Sequence, residues 1–128
     1  MLNQTAIYAV RAMGFLAKQE SDTPVLSSTI ASDMNIPRNF LSKIINRLVQ
    51  AGLVTAARGR GGGVKLAHRA SEIYLSQVVE LFMKVDATRH CLMGLKTCDG
   101  SCGLHLRWRI ITEQFDKLLH DTTVDQVF

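Results

Sequence analysis

Apolar positions along the 128-residue chain change period several times, and each change marks a predicted element. The opening segment carries Leu2, Ala6, Val10, Met13 and Ala17 at three- and four-residue steps, with Ile7, Gly14 and Leu16 beside them. That is an amphipathic helix with Arg11 and Lys18 facing out. A polar turn, Gln19 to Pro24, follows, and then a short helix from Ser27 to Met34 with Ser27 or Ser28 as cap and Ile30, Ala31 and Met34 inward. After the Asn35-Ile36 turn, Pro37 suits a first helical turn, and Phe40, Leu41, Ile44, Ile45, Leu48 and Val49 form an apolar helical face that ends at Gly52. The period then shortens for two strands, Leu53 to Ala57 and Val64 to Ala67, joined by the tip Arg58-Gly59-Arg60-Gly61-Gly62-Gly63.

Beyond the strands, Arg69 to Leu75 reads as a connector, and Ser76 caps a helix through about Lys84 with Val78, Val79, Leu81, Phe82 and Val85 inward. From Asp86 to His105 no sustained apolar period exists. The last helix, over about 103–120, is the clearest: Leu104, Trp108, Ile111, Phe115 and Leu118 step by four, three, four and three, and Thr122 continues the rhythm. Such a heptad seam packs on its own domain or on a twin, and a dimer is the expectation. Asp121 to Phe128 is a tail. The expected fold is mainly α: a winged helix-turn-helix with a two-stranded β wing and a long C-terminal dimerisation helix. The expected division is a DNA-binding domain over 1–75, then 76–128 with a cysteine-rich sensor loop (86–105) and the dimerisation helix.

Charge gives the middle of the chain its meaning. Residues 34–71 hold seven Lys or Arg and no Asp or Glu, so they carry +7 while the whole chain is only +4. All eleven acidic residues lie elsewhere. A basic helix alone is often just a solvated face. A basic helix followed by a Gly-rich basic hairpin, with acids excluded from both, is what a polyphosphate backbone requires. Two short helices around a turn place the second in a major groove, so Arg38, Asn39, Ser42, Lys43, Asn46 and Arg47 are the candidate contacts there. Asn39, Ser42 and Lys43 are the expected base-edge readers. Arg58 and Arg60 at the wing tip reach the minor groove or phosphates. The glycine run is not a nucleotide-binding loop, because Val64-Lys65-Leu66 reads as a strand and no Lys-Ser/Thr pair opens a helix there.

The aperiodic segment contains all three cysteines, Cys91, Cys98 and Cys102, with His105 three residues after the last. An odd count disfavours a disulfide framework, and no C-x2-C pair of the kind structural zinc sites use is present. Thiolates and an imidazole converging on one point suit an iron–sulfur cluster, with zinc and a bare thiol switch as alternatives. His90, beside Cys91, reads as a surface histidine, and His68 and His120 carry no signal. An enzyme is not expected: there is no carboxylate pair in a plausible pocket and no nucleophile–base constellation. No early apolar run approaches a membrane-spanning length, and a cytoplasmic protein is expected.

Tyr8-Ala9-Val10 in the first helix, Ala51-Gly52-Leu53-Val54 closing the helix-turn-helix, the Arg58–Gly63 wing and the three-cysteine loop before a long helix together resemble the Rrf2-type bacterial transcription regulators. The likeness runs over essentially the whole chain and is nearest to their IscR-like iron–sulfur branch. It implies a homodimer with crossed long helices on a palindromic operator in double-stranded DNA, and no small-molecule substrate. It further implies an iron–sulfur cluster, 2Fe-2S favoured over 4Fe-4S, held by Cys91, Cys98 and Cys102 with His105 as the fourth ligand. Two departures stand out. The gap between the second and third cysteines is shorter than is usual in the family. Ile7 stands where other branches place an acidic ligand ahead of the helix 1 tyrosine.

Overall fold

Asn3 starts the first helix by accepting a hydrogen bond from the Ala6 N–H at Oδ1 (2.8 Å), while its Nδ2 donates to the Phe82 carbonyl (3.0 Å). The computed structural model describes residues 1–19, 23–85, 91–95 and 99–128. Helix α1 spans Gln4–Lys18 and buries Ala6, Ala9, Ala12, Met13, Gly14 and Leu16. The expected stripe is therefore out of phase: Leu2, Val10 and Ala17 are only half-buried. Three alanines and a glycine join Met13 and Leu16 on the inner face, because small residues let α1 approach its neighbours closely in the centre of the fold.

Helices α2 (Ser27–Asp33) and α3 (Arg38–Gln50) form the helix-turn-helix. The cap of α2 is Leu26, with no side-chain hydrogen bond, so neither Ser27 nor Ser28 fills that role. Both helices end in the same way. The Ile36 N–H donates to the Ala31 carbonyl (2.9 Å) across Asn35, and the Leu53 N–H donates to the Leu48 carbonyl (3.0 Å) across Gly52. Asn35 (φ 54°) and Gly52 (φ 76°) supply the left-handed residue that this helix stop needs. Leu41, Ile44, Ile45 and Leu48 are buried, whereas Phe40 and Val49, expected on the same face, are 47% and 39% exposed.

The wing is an antiparallel pair, β1 (Val54–Ala57) and β2 (Gly63–Leu66), registered Val54 with Leu66 and Ala57 with Gly63. A third segment joins it that periodicity did not reveal. Val25 exchanges two hydrogen bonds with Val64 (2.8 and 2.7 Å), which fastens the strand leading into α2 to the inner edge of the wing.

Helix α4 is short, Leu75–Val79, and the expected run to Lys84 does not form. It also starts ahead of Ser76, with Tyr74 as cap and its N–H donating to Gln77 Oε1 (2.8 Å). Val78, Val79 and Val85 are buried as expected, while Leu81 and Phe82 are half-buried. Helix α5 spans Gly103–Asp121. Its buried residues are Thr112 and Leu119, whereas Leu104, Ile111 and Leu118 of the expected seam are exposed and Trp108 and Phe115 half-buried. The segment after α5 is part of the core. Val124 is fully buried, and hydrogen bonds from the Leu75 N–H to the Thr122 carbonyl and from the Val124 N–H to the Ile73 carbonyl (2.9 Å each) stitch it to the connector. A 3-10 turn, Val124–Gln126, packs on α1. No helix among the described residues is long and apolar enough to cross a membrane.

Candidate nucleic-acid interface and cysteine loop

Burying four aliphatic residues on one side of α3 turns its polar residues outward. Arg38, Asn39, Ser42, Lys43, Asn46 and Arg47 are all exposed. On a 3.6-residue helix Ser42 and Asn46 share one flank, and Phe40, Lys43 and Arg47 share the other. The Ser42–Asn46 flank faces the wing. Together with Leu26, Ala56, Arg58 and Gly62 these two residues line an open cleft of about 500 Å³ between helix and hairpin. Ser42 Oγ donates back to the Arg38 carbonyl (3.0 Å), so its hydroxyl lies along the helix surface in this state. Arg58 and Arg60 are exposed at the hairpin tip, and among the described residues none of these eight side chains is held in an ion pair.

The opposite flank holds a feature that periodicity assigned to the core. The Phe40 ring lies 6.2 Å from that of Tyr8 on α1, tilted by 50°, and the Arg11 guanidinium stands 5.7 Å above the Tyr8 ring. Phe40 has the hydrophobicity of a core residue, and only its angular position, well off the centre of the Leu41–Ile44–Leu48 stripe, signals otherwise.

In the cysteine loop, Cys91 and Cys102 are half-buried thiols; Cys98 and His90 lie outside the described residues. After Cys91 the chain turns, with the Gly94 N–H donating to the Cys91 carbonyl (2.9 Å). Before α5, Asp99 Oδ1 accepts from the Ser101 hydroxyl (2.6 Å) and N–H (2.9 Å), and these bonds hold its carboxyl below the usual carboxylate range. Cys102 is the N-terminal cap of α5, and the His105 N–H donates to its carbonyl (3.1 Å). The His105 ring lies over Gly100: a Cβ there would stand 3.4 Å from Nε2. The imidazole edge of His105 therefore faces Gly100, two residues ahead of Cys102. Among the described residues no three His, Cys, Asp or Glu side chains converge on a metal position. The donor types present, thiol and imidazole, suit a soft metal.

Three comparisons bear on this arrangement. Residues 2–128 match the family model Rrf2, described as an iron-dependent transcriptional regulator. The chain is 33% identical over 123 residues to the HTH-type transcriptional regulator IscR of Pectobacterium atrosepticum, covering 94% of this chain and 74% of that one. It is 34% identical, with the same coverage, to IscR of Yersinia enterocolitica. Among solved structures the fold is similar to T. potens IscR (TM-score 0.74, 23% identity, 97% of this chain and 82% of that one). It is also similar to CymR, the global cysteine regulator of B. subtilis (TM-score 0.77, 21% identity, 99% and 95%). These relatives are regulators rather than enzymes. With the wing behind the recognition helix and a match that spans almost the whole chain, the protein belongs to the Rrf2 family of winged-helix transcriptional regulators.

Proposed function

We propose that the protein is a cytoplasmic, homodimeric regulator that binds a palindromic operator and whose affinity is set by an iron–sulfur cluster in the cysteine loop. In this reading residues 1–75 grip DNA and 76–128 sense and dimerise. Asn39, Ser42 and Lys43 read base edges, Arg38, Asn46 and Arg47 flank them, and Arg58 and Arg60 hold the neighbouring minor groove or phosphates. Cys91, Cys98, Cys102 and His105 hold the cluster, which supplies a group that iron supply, oxygen or nitric oxide alters.

The observation that carries the reading is the position of Cys102 and His105 in the first turn of α5. Any group that gathers those side chains orients the helix whose exposed row, Leu104, Ile111 and Leu118, fits a second copy. A coupling of about 1–3 kcal/mol between loop and DNA face changes occupancy roughly 5- to 150-fold. A cysteine thiol switch is the second reading, favoured by the half-buried Cys91 and Cys102 thiols.

The test is an absorption spectrum of protein purified without oxygen, with iron and acid-labile sulfide counted per chain and operator affinity measured before and after cluster removal. Visible charge-transfer bands and a change in affinity support the proposal. Equal affinity with and without the cluster refutes sensing through it. A colourless protein with stoichiometric zinc makes the loop structural, and a metal-free one with reversibly oxidised thiols supports the switch.

A further inference from the structure

The Arg11–Tyr8–Phe40 ledge has no counterpart in the sequence-based assignment of DNA contacts, and its chemistry is specific. Phe40 is 47% exposed at the start of α3, the end of a recognition helix that meets base edges. It follows Arg38 and Asn39 in sequence and shares its flank with Lys43 and Arg47, in a segment without one carboxylate. A protein partner for an exposed phenyl ring in that field would need an acidic surface, and duplex DNA is the polyanion this fold presents α3 to.

A phenyl ring has no hydrogen-bonding capacity, so it reads neither amino nor carbonyl groups. The one apolar feature in the major groove is the C5-methyl of thymine. The ring also rests against a neighbour, tilted at 50° on Tyr8 with its centroid 6.2 Å away, while Tyr8 is in turn covered by the Arg11 guanidinium at 5.7 Å. An aromatic side chain held in this way loses little freedom on binding.

We infer that Phe40 is a specificity residue that packs on a thymine methyl in each half-site, with Tyr8 as its positioning residue. This rests on the DNA-binding reading above and adds to it a base type and an apolar mode of recognition. Arg11, drawn over Tyr8, keeps a cation at the edge of the ledge.

The full chain, purified without oxygen, is used to select duplexes from a random pool, and the thymines of the enriched site are replaced one at a time by uracil, which removes only the methyl. Binding is expected to weaken about fourfold per half-site at one thymine, the effect of a single buried methyl. In Phe40→Ala the thymine and uracil duplexes should bind alike. Tyr8→Ala should shrink the ratio and Tyr8→Phe should restore it, whereas a purely structural role for Tyr8 would lower affinity for both duplexes equally. The inference is overturned if Phe40→Ala keeps the thymine preference, or if no thymine-to-uracil change matters to the parent protein. It is equally overturned if Phe40→Ala acts by changing the oligomeric state in sedimentation. Failure to enrich any duplex removes the DNA-binding reading itself, a result distinct from enrichment without methyl sensitivity.

Discussion

Gly14 and Val127 are packed so closely that a methyl group on Gly14 would stand 2.7 Å from Cγ1 of Val127. Phe128 lies over the same spot, 2.9 Å from that position. The glycine is therefore required by the segment that follows α5 rather than by the helix that contains it, where glycine costs about 1 kcal/mol relative to alanine.

Gly14→Ala is accordingly expected to destabilise the protein by about 1–3 kcal/mol, despite its better helix propensity. Urea denaturation measures this. A stabilised variant would show that the 124–128 segment is not seated on α1 in solution.

On α5, adjacent leucines should behave oppositely. Leu119 is buried and Leu118 is 53% exposed. Leu119→Ala should cost about 2–5 kcal/mol of folding stability. Leu118→Ala, and Ile111→Ala likewise, should leave the fold of the single chain nearly unchanged and weaken self-association in sedimentation equilibrium. Equal association constants for Ile111→Ala and the parent would exclude this row from the dimer contact.

At the wing, Arg58→Ala and Arg60→Ala should each lower the slope of log affinity against log salt by about 1. A uniform drop across operator variants identifies a phosphate contact, whereas a loss of discrimination at one position identifies base reading. Unchanged slopes would place the tip away from DNA.

Cys102→Ala should abolish the visible absorbance and iron content of protein prepared without oxygen, while the melting temperature of the metal-free form stays close to that of the parent. A large fall in the stability of the metal-free form would assign Cys102 a packing role instead.

Gly52 as a helix stop and the Asn35-Ile36 turn were legible in the sequence, and so were the ends of α3 and the wing. Gly52, the Arg58–Gly63 tip and the four inward aliphatics of α3 each have a local cause that needs no knowledge of the rest of the chain. The exposed basic and polar set of α3 was legible for the same reason, since the wheel position of Arg38 or Asn46 follows from that of Leu41. What escaped depended on partners far away in sequence. Periodicity counted Phe40 as core because it scores hydrophobicity without asking what waits opposite, and what waits is Tyr8 at the surface. In α1, Ala9 and Ala12 were outranked by larger residues, although close approach favours the small face. The Val25–Val64 bridge and the seating of Val124 are long-range backbone pairings with almost no local signature. The heptad row of α5 leaves Leu104, Ile111 and Leu118 exposed on this chain, and Thr112 and Leu119, lying beside it, are what the helix buries against its own chain.

That division of α5 has a mechanical consequence. Its second half is clamped, with Thr112, Leu119 and Val124 buried and the Thr122 carbonyl accepting from the Leu75 N–H, while before Thr112 the helix has only Trp108 half-buried and no residue fully buried. The helix is an arm anchored against the body of the fold through its second half, with the cysteine loop at its other end. From Thr112 back to Gly103 the arm is about 14 Å long, so a tilt of about 8° at the anchor moves its tip by roughly 2 Å. In the dimer proposed above, a rearrangement at the cysteines reaches a second copy as a displacement that varies along the arm, largest near Leu104 and vanishing toward Leu118.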